Sequence, residues 1–214
     1  MQKVFFLLTL FFIASCMNDN DKTNPDNYVI NKIPEAKDSI NLKNNLNSFD
    51  KIRKEYNLVN SQLVAKKLDS VRFGYECEER TGNVIYYSEN GNLKLIKHFQ
   101  ADSHFSSTES YFVNDGKPYF IFKNETLWSF DGGTPEKPIT KDDVTEQRFY
   151  IIENKSVQCL EKKYTIKSNS INNSKSENIP NKKMKNCSIA ELQKSFDLLM
   201  KNKYRKADGK CPEF

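Results

Sequence analysis

The most apolar stretch of this 214-residue chain, Val4 to Ile13, falls well short of the roughly 20 residues that a helix needs to cross a bilayer. Five cysteines are present, but no Cys-x-x-Cys pair occurs and they are widely scattered, which argues against a structural zinc site. Histidine is nearly missing, with His98 and His104 alone, so little is left from which to build a histidine-based catalytic centre. The net charge of +5 comes from Lys and Arg interleaved with Asp and Glu. No basic block is long or pure enough to form a nucleic-acid face. The glycines of "FDGGTPEKP" (Phe130 to Pro138) are not followed by the Lys-Ser and helix of a phosphate loop. Tryptophan occurs once, at Trp128, against fifteen Phe and ten Tyr. That bias belongs with β structure, where broad rings pack across neighbouring strands. Hydrophobic residues make up 37% of the chain and charged residues 29%, so a core is allowed but not a generous one.

What is present begins at the amino terminus. Lys3 precedes the apolar Val4–Ile13 stretch, and Ile13-Ala14-Ser15-Cys16 follows it. A short basic region, an apolar region of this length and small residues at Ala14 and Ser15 suit a cleaved secretory signal. Ile13-Ala14-Ser15-Cys16 resembles the lipobox of bacterial lipoproteins. The resemblance implies cleavage before Cys16, a diacylglycerol thioether on its sulfur and acylation, typically with palmitate, of the new amino terminus. Several buried chains anchor stably at about 0.8 kcal/mol per CH₂, where one chain binds only marginally. The alternative is an ordinary signal peptide in which Cys16 is incidental. The expectation is therefore a signal peptide at residues 1–15 and a membrane-anchored lipoprotein of the bacterial envelope, placed at the outer membrane on its periplasmic face or at the cell surface. Residues 16–46, rich in Asn, Asp and Lys, read as a flexible tether with an r.m.s. span on the order of 30 Å. Asp19 and Asp21 read equally as a sorting signal or as part of a soluble linker.

Residues 47–166 carry the folding signals. Phe49, Ile52, Tyr56, Val59 and Leu63 are spaced by three and four and draw one apolar stripe on a helix over 47–67, with Asn47 or Ser48 able to cap it. "SVRFGYEC" then alternates Val71, Phe73, Tyr75 and Cys77 with polar residues and Gly74, as a half-buried strand does. Three segments follow with one design: "YYSENGNLKLI", "YFVNDGKPYFIF" and "FYIIENKSVQCL" each set an aromatic pair before a turn and an apolar run after it. Asn90-Gly91 and Asp115-Gly116 tolerate the positive φ of tight hairpin turns, and Asn154 is the left-handed candidate of the third. Pro118, just past its turn, suits a strand start or an edge. The repeats are too few and too diverged for a propeller or solenoid. Residues 167–186 read as a polar linker. Residues 187–214 hold a final helix, with Ser188 and Glu191 as a capping box and Ile189, Leu192, Phe196 and Leu199 as its stripe. The fold class is α+β: an antiparallel β-meander of about six to eight strands flanked by an N-terminal and a C-terminal helix.

Adjacent strand residues point to opposite faces. If both helices cover one face, the second ring of each aromatic pair, Tyr87, Phe112 and Tyr150, forms a stripe on the other. Such a stripe is either covered structurally or serves as a binding surface. Apart from Cys16, the cysteines are Cys77, Cys159, Cys187 and Cys211, an even set that in an exported protein suggests two disulfides with three connectivities; free buried thiols are the alternative. Cys187 and Cys211 flank the last helix, and the chain is just long enough to join them, which leaves Cys77 to bridge Cys159 across strands. Other constellations carry weaker signals. Ser103, His104 and Asp102 are neighbours in sequence and do not converge like a triad. His98, Asp102 and His104 make a poor metal set. Asp142, Asp143 and Glu146 could hold a hard cation or do acid–base work but read first as a solvated loop.

"FDKIRKEYNLVNSQL", "NVIYYSENGNLKLI", "SYFVNDGKPYFIF" and "EQRFYIIENKSVQCL" together resemble a group of uncharacterised exported bacterial proteins, often lipoproteins, over about residues 47–162. The resemblance implies the helix-plus-meander layout and carries over no catalytic residue. The expectation for function is a lipid-anchored envelope protein that binds or supports another component without catalysis. It has no metal or cofactor beyond the lipid on Cys16, and its partners are the membrane, an envelope protein or a second copy. An inhibitor of an enzyme such as a lysozyme, and an envelope hydrolase using His104, are the alternatives.

Overall fold

The computed structural model describes residues 46–205 and 211–212. The signal segment, Cys16 and most of the tether lie outside the described residues. Helix α1 (Leu46–Val64) is followed by strands β1 (Asp69–Cys77), β2 (Arg80–Glu89), β3 (Asn92–Asp102), β4 (Phe105–Asn114), β5 (Lys117–Thr134), β6 (Lys137–Ile152) and β7 (Lys155–Lys167). A 3-10 turn (Ser176–Asn178), a short strand β8 (Lys182–Lys183) and helix α2 (Ala190–Lys201) complete it. The strands form one open antiparallel sheet in the order β1 to β8, each beside its sequence neighbour. No helix among the described residues is long and apolar enough to cross a membrane.

The three repeated segments become the β2–β3, β4–β5 and β6–β7 hairpins. Their turns hold positive φ at Asn90 and Gly91, at Asp115 and Gly116, and at Glu153 and Asn154, the left-handed pair a two-residue turn of this hand requires. In each hairpin the register slips just after the second ring of the aromatic pair, at Tyr87/Ser88, Phe112/Val113 and Tyr150/Ile151. These bulges add local twist beside each turn. Pro118 sits one residue into β5, opposite Val113, where a strand start tolerates it.

Register places equivalent residues of the repeats in common rows. Tyr87, Leu95, Phe112, Phe120 and Tyr150 stand opposite one another on one face, and Tyr86, Ile96, Tyr111, Ile121, Phe149 and Cys159 on the other. The two helices do not share a face. Helix α1 lays Ile52, Tyr56 and Val59 on the first row, with Tyr56 4.9 Å from Phe112 and Phe49 5.6 Å from Tyr150 between ring centroids. Helix α2 buries Leu192, Phe196 and Leu199 on the second, where Tyr86 donates its hydroxyl to the Leu199 carbonyl at 2.7 Å. Each fully buried apolar side chain of this size contributes about 1.5–3 kcal/mol.

This arrangement corrects the premise that both helices cover one face, and of the two readings of the aromatic stripe it gives structural cover rather than a binding surface. Phe112 and Tyr150 are 1% exposed beneath α1 and Tyr87 is half-buried beside them, so the three rings are core. The disulfides are corrected too. Cys77 bonds Cys211, with Cα atoms 5.1 Å apart, and Cys159 bonds Cys187, at 5.3 Å. Cys187 and Cys211 lie beyond opposite ends of α2, and each pairs with a sheet cysteine rather than with the other. Both ends of the helical segment are thereby pinned to the sheet.

Smaller differences have local causes. Asn47 and Ser48 lie within helix α1, so neither is its cap. Helix α2 starts at Ala190 with Ile189 as N-cap; Ser188 accepts the Ala190 N–H at 3.3 Å, while Glu191 turns to Lys194 instead of closing a capping box. The polar segment after β7 is packed on the sheet rather than a loose connection: Met184 donates to the Cys159 carbonyl, and β8 pairs with β7.

Candidate functional site

Chemistry-bearing side chains gather in three places. The first lies in the α2-side face of the sheet, in the row next to Tyr86 and Ile96. There Val84, His98, Glu109 and Lys123 stand opposite one another on β2 to β5. The Tyr75 hydroxyl lies 2.7 Å from His98 Nε2, and His98 Nδ1 lies 3.8 Å from Glu109 Oε2, which also accepts the Tyr111 hydroxyl at 2.5 Å. A carboxylate only accepts, so an Nδ1 proton facing Glu109 leaves Nε2 to receive the Tyr75 proton. Burial alone would raise the Glu109 carboxyl, but the hydrogen bond from Tyr111, the adjacent His98 ring and the nearby Lys123 charge outweigh it and hold it below its ordinary value. Burial pushes the Tyr75 hydroxyl up to about 12 and raises that of Tyr111 further. His98, Tyr75 and Glu109 are all buried, so this relay is a polar strut of the core.

The second cluster lies on the α1 side, over β6 and β7. Glu146 is its centre. Its Oε2 meets Arg148 at 2.7 Å and Lys162 at 3.3 Å, while its Oε1 accepts Ser176 at 2.6 Å and Tyr164 at 2.9 Å. Lys162 donates to the Ser176 carbonyl and hydroxyl, both at 2.7 Å, and Arg148 to Asn181 at 2.9 Å. Burial would raise the Glu146 carboxyl, and the hydrogen bonds and cations around it overcome that and lower it; burial lowers the Lys162 ammonium. The segment carrying Ser176 and Asn181 caps a satisfied ionic network. Glu146 is therefore no part of a solvated loop. Asp142 and Asp143 are also on β6, on opposite faces of it.

The third place is open. Strand β5 spans 18 residues, about 60 Å at 3.3 Å per residue. Residues 128–134 run on past the end of β4. Here Phe130 is 63% and Leu127 52% exposed, and Trp128 is half-buried. The turn between β3 and β4 folds His104 onto Trp128, with ring centroids 4.1 Å apart and planes 23° from parallel. Trp128 Nε1 donates to the Ser103 carbonyl at 3.0 Å, and His104 Nδ1 lies 3.2 Å from the Trp128 carbonyl, which requires the proton on Nδ1. Phe130, two residues on and so on the same face, meets Trp128 edge-on at 5.5 Å. These bonds fix the His104 and Trp128 rings, against which Phe130 rests, before any partner arrives, which lowers the ordering cost of binding. On the opposite face Asp131 pairs with Lys167 at 2.7 Å and Lys141 at 3.8 Å, stiffening the ribbon.

The structure thus separates the sequence candidates. His98 is core and His104 lies against Trp128; Ser103 and Asp102 form no triad with His104. Among the described residues no group of three or more His, Cys, Asp or Glu is placed to hold a metal ion. Trp128 and Phe130 were not singled out as a site in the sequence. Their signal was the "LWSF" segment after a polar strand interior, "KNET", and before Gly132-Gly133, where no second apolar element remained to cover it. Comparison with models of known protein families, with curated proteins and with solved structures finds no match to this chain.

Proposed function

We propose that this chain is a non-catalytic binding module of the bacterial envelope, tethered to a membrane through lipid on Cys16, whose contact surface is the aromatic end of the sheet. The observation that carries the reading is the locked, solvent-facing set of His104, Trp128 and Phe130. The buried relay and the buried ionic network support it, since both are closed to a substrate. Aromatic side chains with fixed orientation are the usual anchors of an interface. Cross-linking in intact cells, with identification of what is attached, is the test. The expected result is one dominant partner, captured by the wild type and lost from Trp128→Ala/Phe130→Ala. The same preparation should carry a thioether lipid mass on Cys16. Equal capture by the double variant removes the surface from the proposal, and an unmodified Cys16 with its leader uncut removes the tether.

The reach of β5 beyond β4 favours a second reading, in which the projecting ribbon enters the cleft of an enzyme as an inhibitor. Stoichiometric inhibition of a lysozyme, abolished by the same two substitutions, distinguishes it from a passive binding module.

A further inference from the structure

The two edges of the sheet are built differently. Edge β8 is two residues long, consists of Lys182 and Lys183 and follows Pro180, three devices that discourage further pairing. Edge β1 spans nine residues, has neither Lys nor Pro, and has β2 as its strand neighbour. Its Gly74 is exposed, and a side chain added there would meet only the Gly82 carbonyl, at 3.6 Å. Val71 is 60% exposed. Arg72 and Glu76 are exposed too, on the same face as Gly74.

We propose that β1 is the interface between two copies of this chain, paired antiparallel about a two-fold axis at Gly74 to continue the sheet from one copy into the next. Registers that keep both copies' faces aligned differ by where the axis falls. An axis at Arg72 or at Glu76 sets like charges opposite one another, and an axis at Phe73 sets Arg72 against Gly74. The axis at Gly74 sets Arg72 of each copy against Glu76 of the other, so the contact holds two complementary charge pairs. It also covers Val71, and the glycine pair at the centre places no bulky side chains opposite one another between the two charge pairs. A closed two-fold contact uses the same strand on both sides, so pairing stops at the dimer, with the lysine edges outermost. The surface lies on β1, away from the aromatic end of β5, and does not depend on the function proposed there.

Sedimentation of the purified full chain over a concentration series tests this. The wild type forms a dimer. Arg72→Glu alone and Glu76→Arg alone each weaken it by about tenfold or more, because each sets two like-charge pairs across the interface. The double variant R72E/E76R regains the wild-type dimer, since it restores both pairs with signs exchanged. Because both side chains are exposed, the double variant also serves as the folding control. A wild type that stays monomeric up to about 100 µM overturns the proposal, as does a dimer indifferent to the single reversals or one that the double variant does not recover.

Discussion

The ring of Tyr75 lies across the backbone of Gly82, its partner in the β1–β2 ladder: a Cβ built on Gly82 would fall 2.3 Å from Tyr75 Cζ. Glycine at 82 therefore lets the Tyr75 hydroxyl reach His98. One strand pair thus connects the edge of the sheet to the buried Glu109 relay.

Gly82→Ala should force that ring aside and cost about 1–3 kcal/mol, as overpacking does. Gly74→Ala, at the next pair of the same ladder and in ordinary contact with the Gly82 carbonyl alone, should stay within about 0.5 kcal/mol of wild type. Urea midpoints of the two variants check this. Equal midpoints would show that the Tyr75 ring has no fixed seat.

Phe112→Ala should destabilise the fold by about 3–5 kcal/mol, because Phe112 is packed against Tyr56 and Phe120 beneath α1. Trp128→Ala/Phe130→Ala should cost far less, since Phe130 is exposed and Trp128 only half-buried. Thermal unfolding of the two proteins separates a core ring from a surface one. As the only tryptophan, Trp128 also makes emission a local reporter of that surface.

Acid should weaken the fold through Glu109 and Glu146. Both carboxyls are held below their ordinary values in the folded chain. Their contribution is fully present above the unfolded value of about 4.3 and is lost as pH falls through the lower folded value. Urea midpoints should begin to fall as pH drops below about 4.3 and go on falling in stronger acid, and Glu109→Gln should flatten that fall. Glu146→Gln should also cost about 3–5 kcal/mol at neutral pH, since it leaves the Arg148 and Lys162 charges buried without their anion. A slope unchanged in both variants would assign acid sensitivity to other carboxylates.

Peptide mapping without reduction should recover Cys77 joined to Cys211 and Cys159 joined to Cys187. Removing either bridge as a Ser pair should cost about 2–5 kcal/mol. The first should cost about 1 kcal/mol more in the chain-entropy description, because its loop spans 134 residues against 28. A Cys187–Cys211 peptide would contradict the anchoring of α2 to the sheet.

The local features of this protein were legible in its sequence. Steps of three and four residues placed both helices within a few residues, and alternation placed the strands. Asn90-Gly91 and Asp115-Gly116 set their hairpins because few residues other than glycine and asparagine hold positive φ cheaply. Glu153, which shares that conformation with Asn154, was less visible, since glutamate bears its cost only within an otherwise paired hairpin. The recurrence of an aromatic pair before each turn implied a meander, and register then put like positions in one row.

What the tertiary structure decided was which face each row meets. An amphipathic stripe says that a helix docks, not on which side of a two-faced sheet, and here α1 and α2 took opposite sides. That choice turned Phe112 and Tyr150 into core and gave each cysteine flanking α2 its own sheet partner. Among the described residues it also left Phe130 exposed and Trp128 half-buried under His104 at the far end of β5. Periodicity is set by bonds along the chain, whereas coverage depends on residues distant in sequence competing for the same apolar surface.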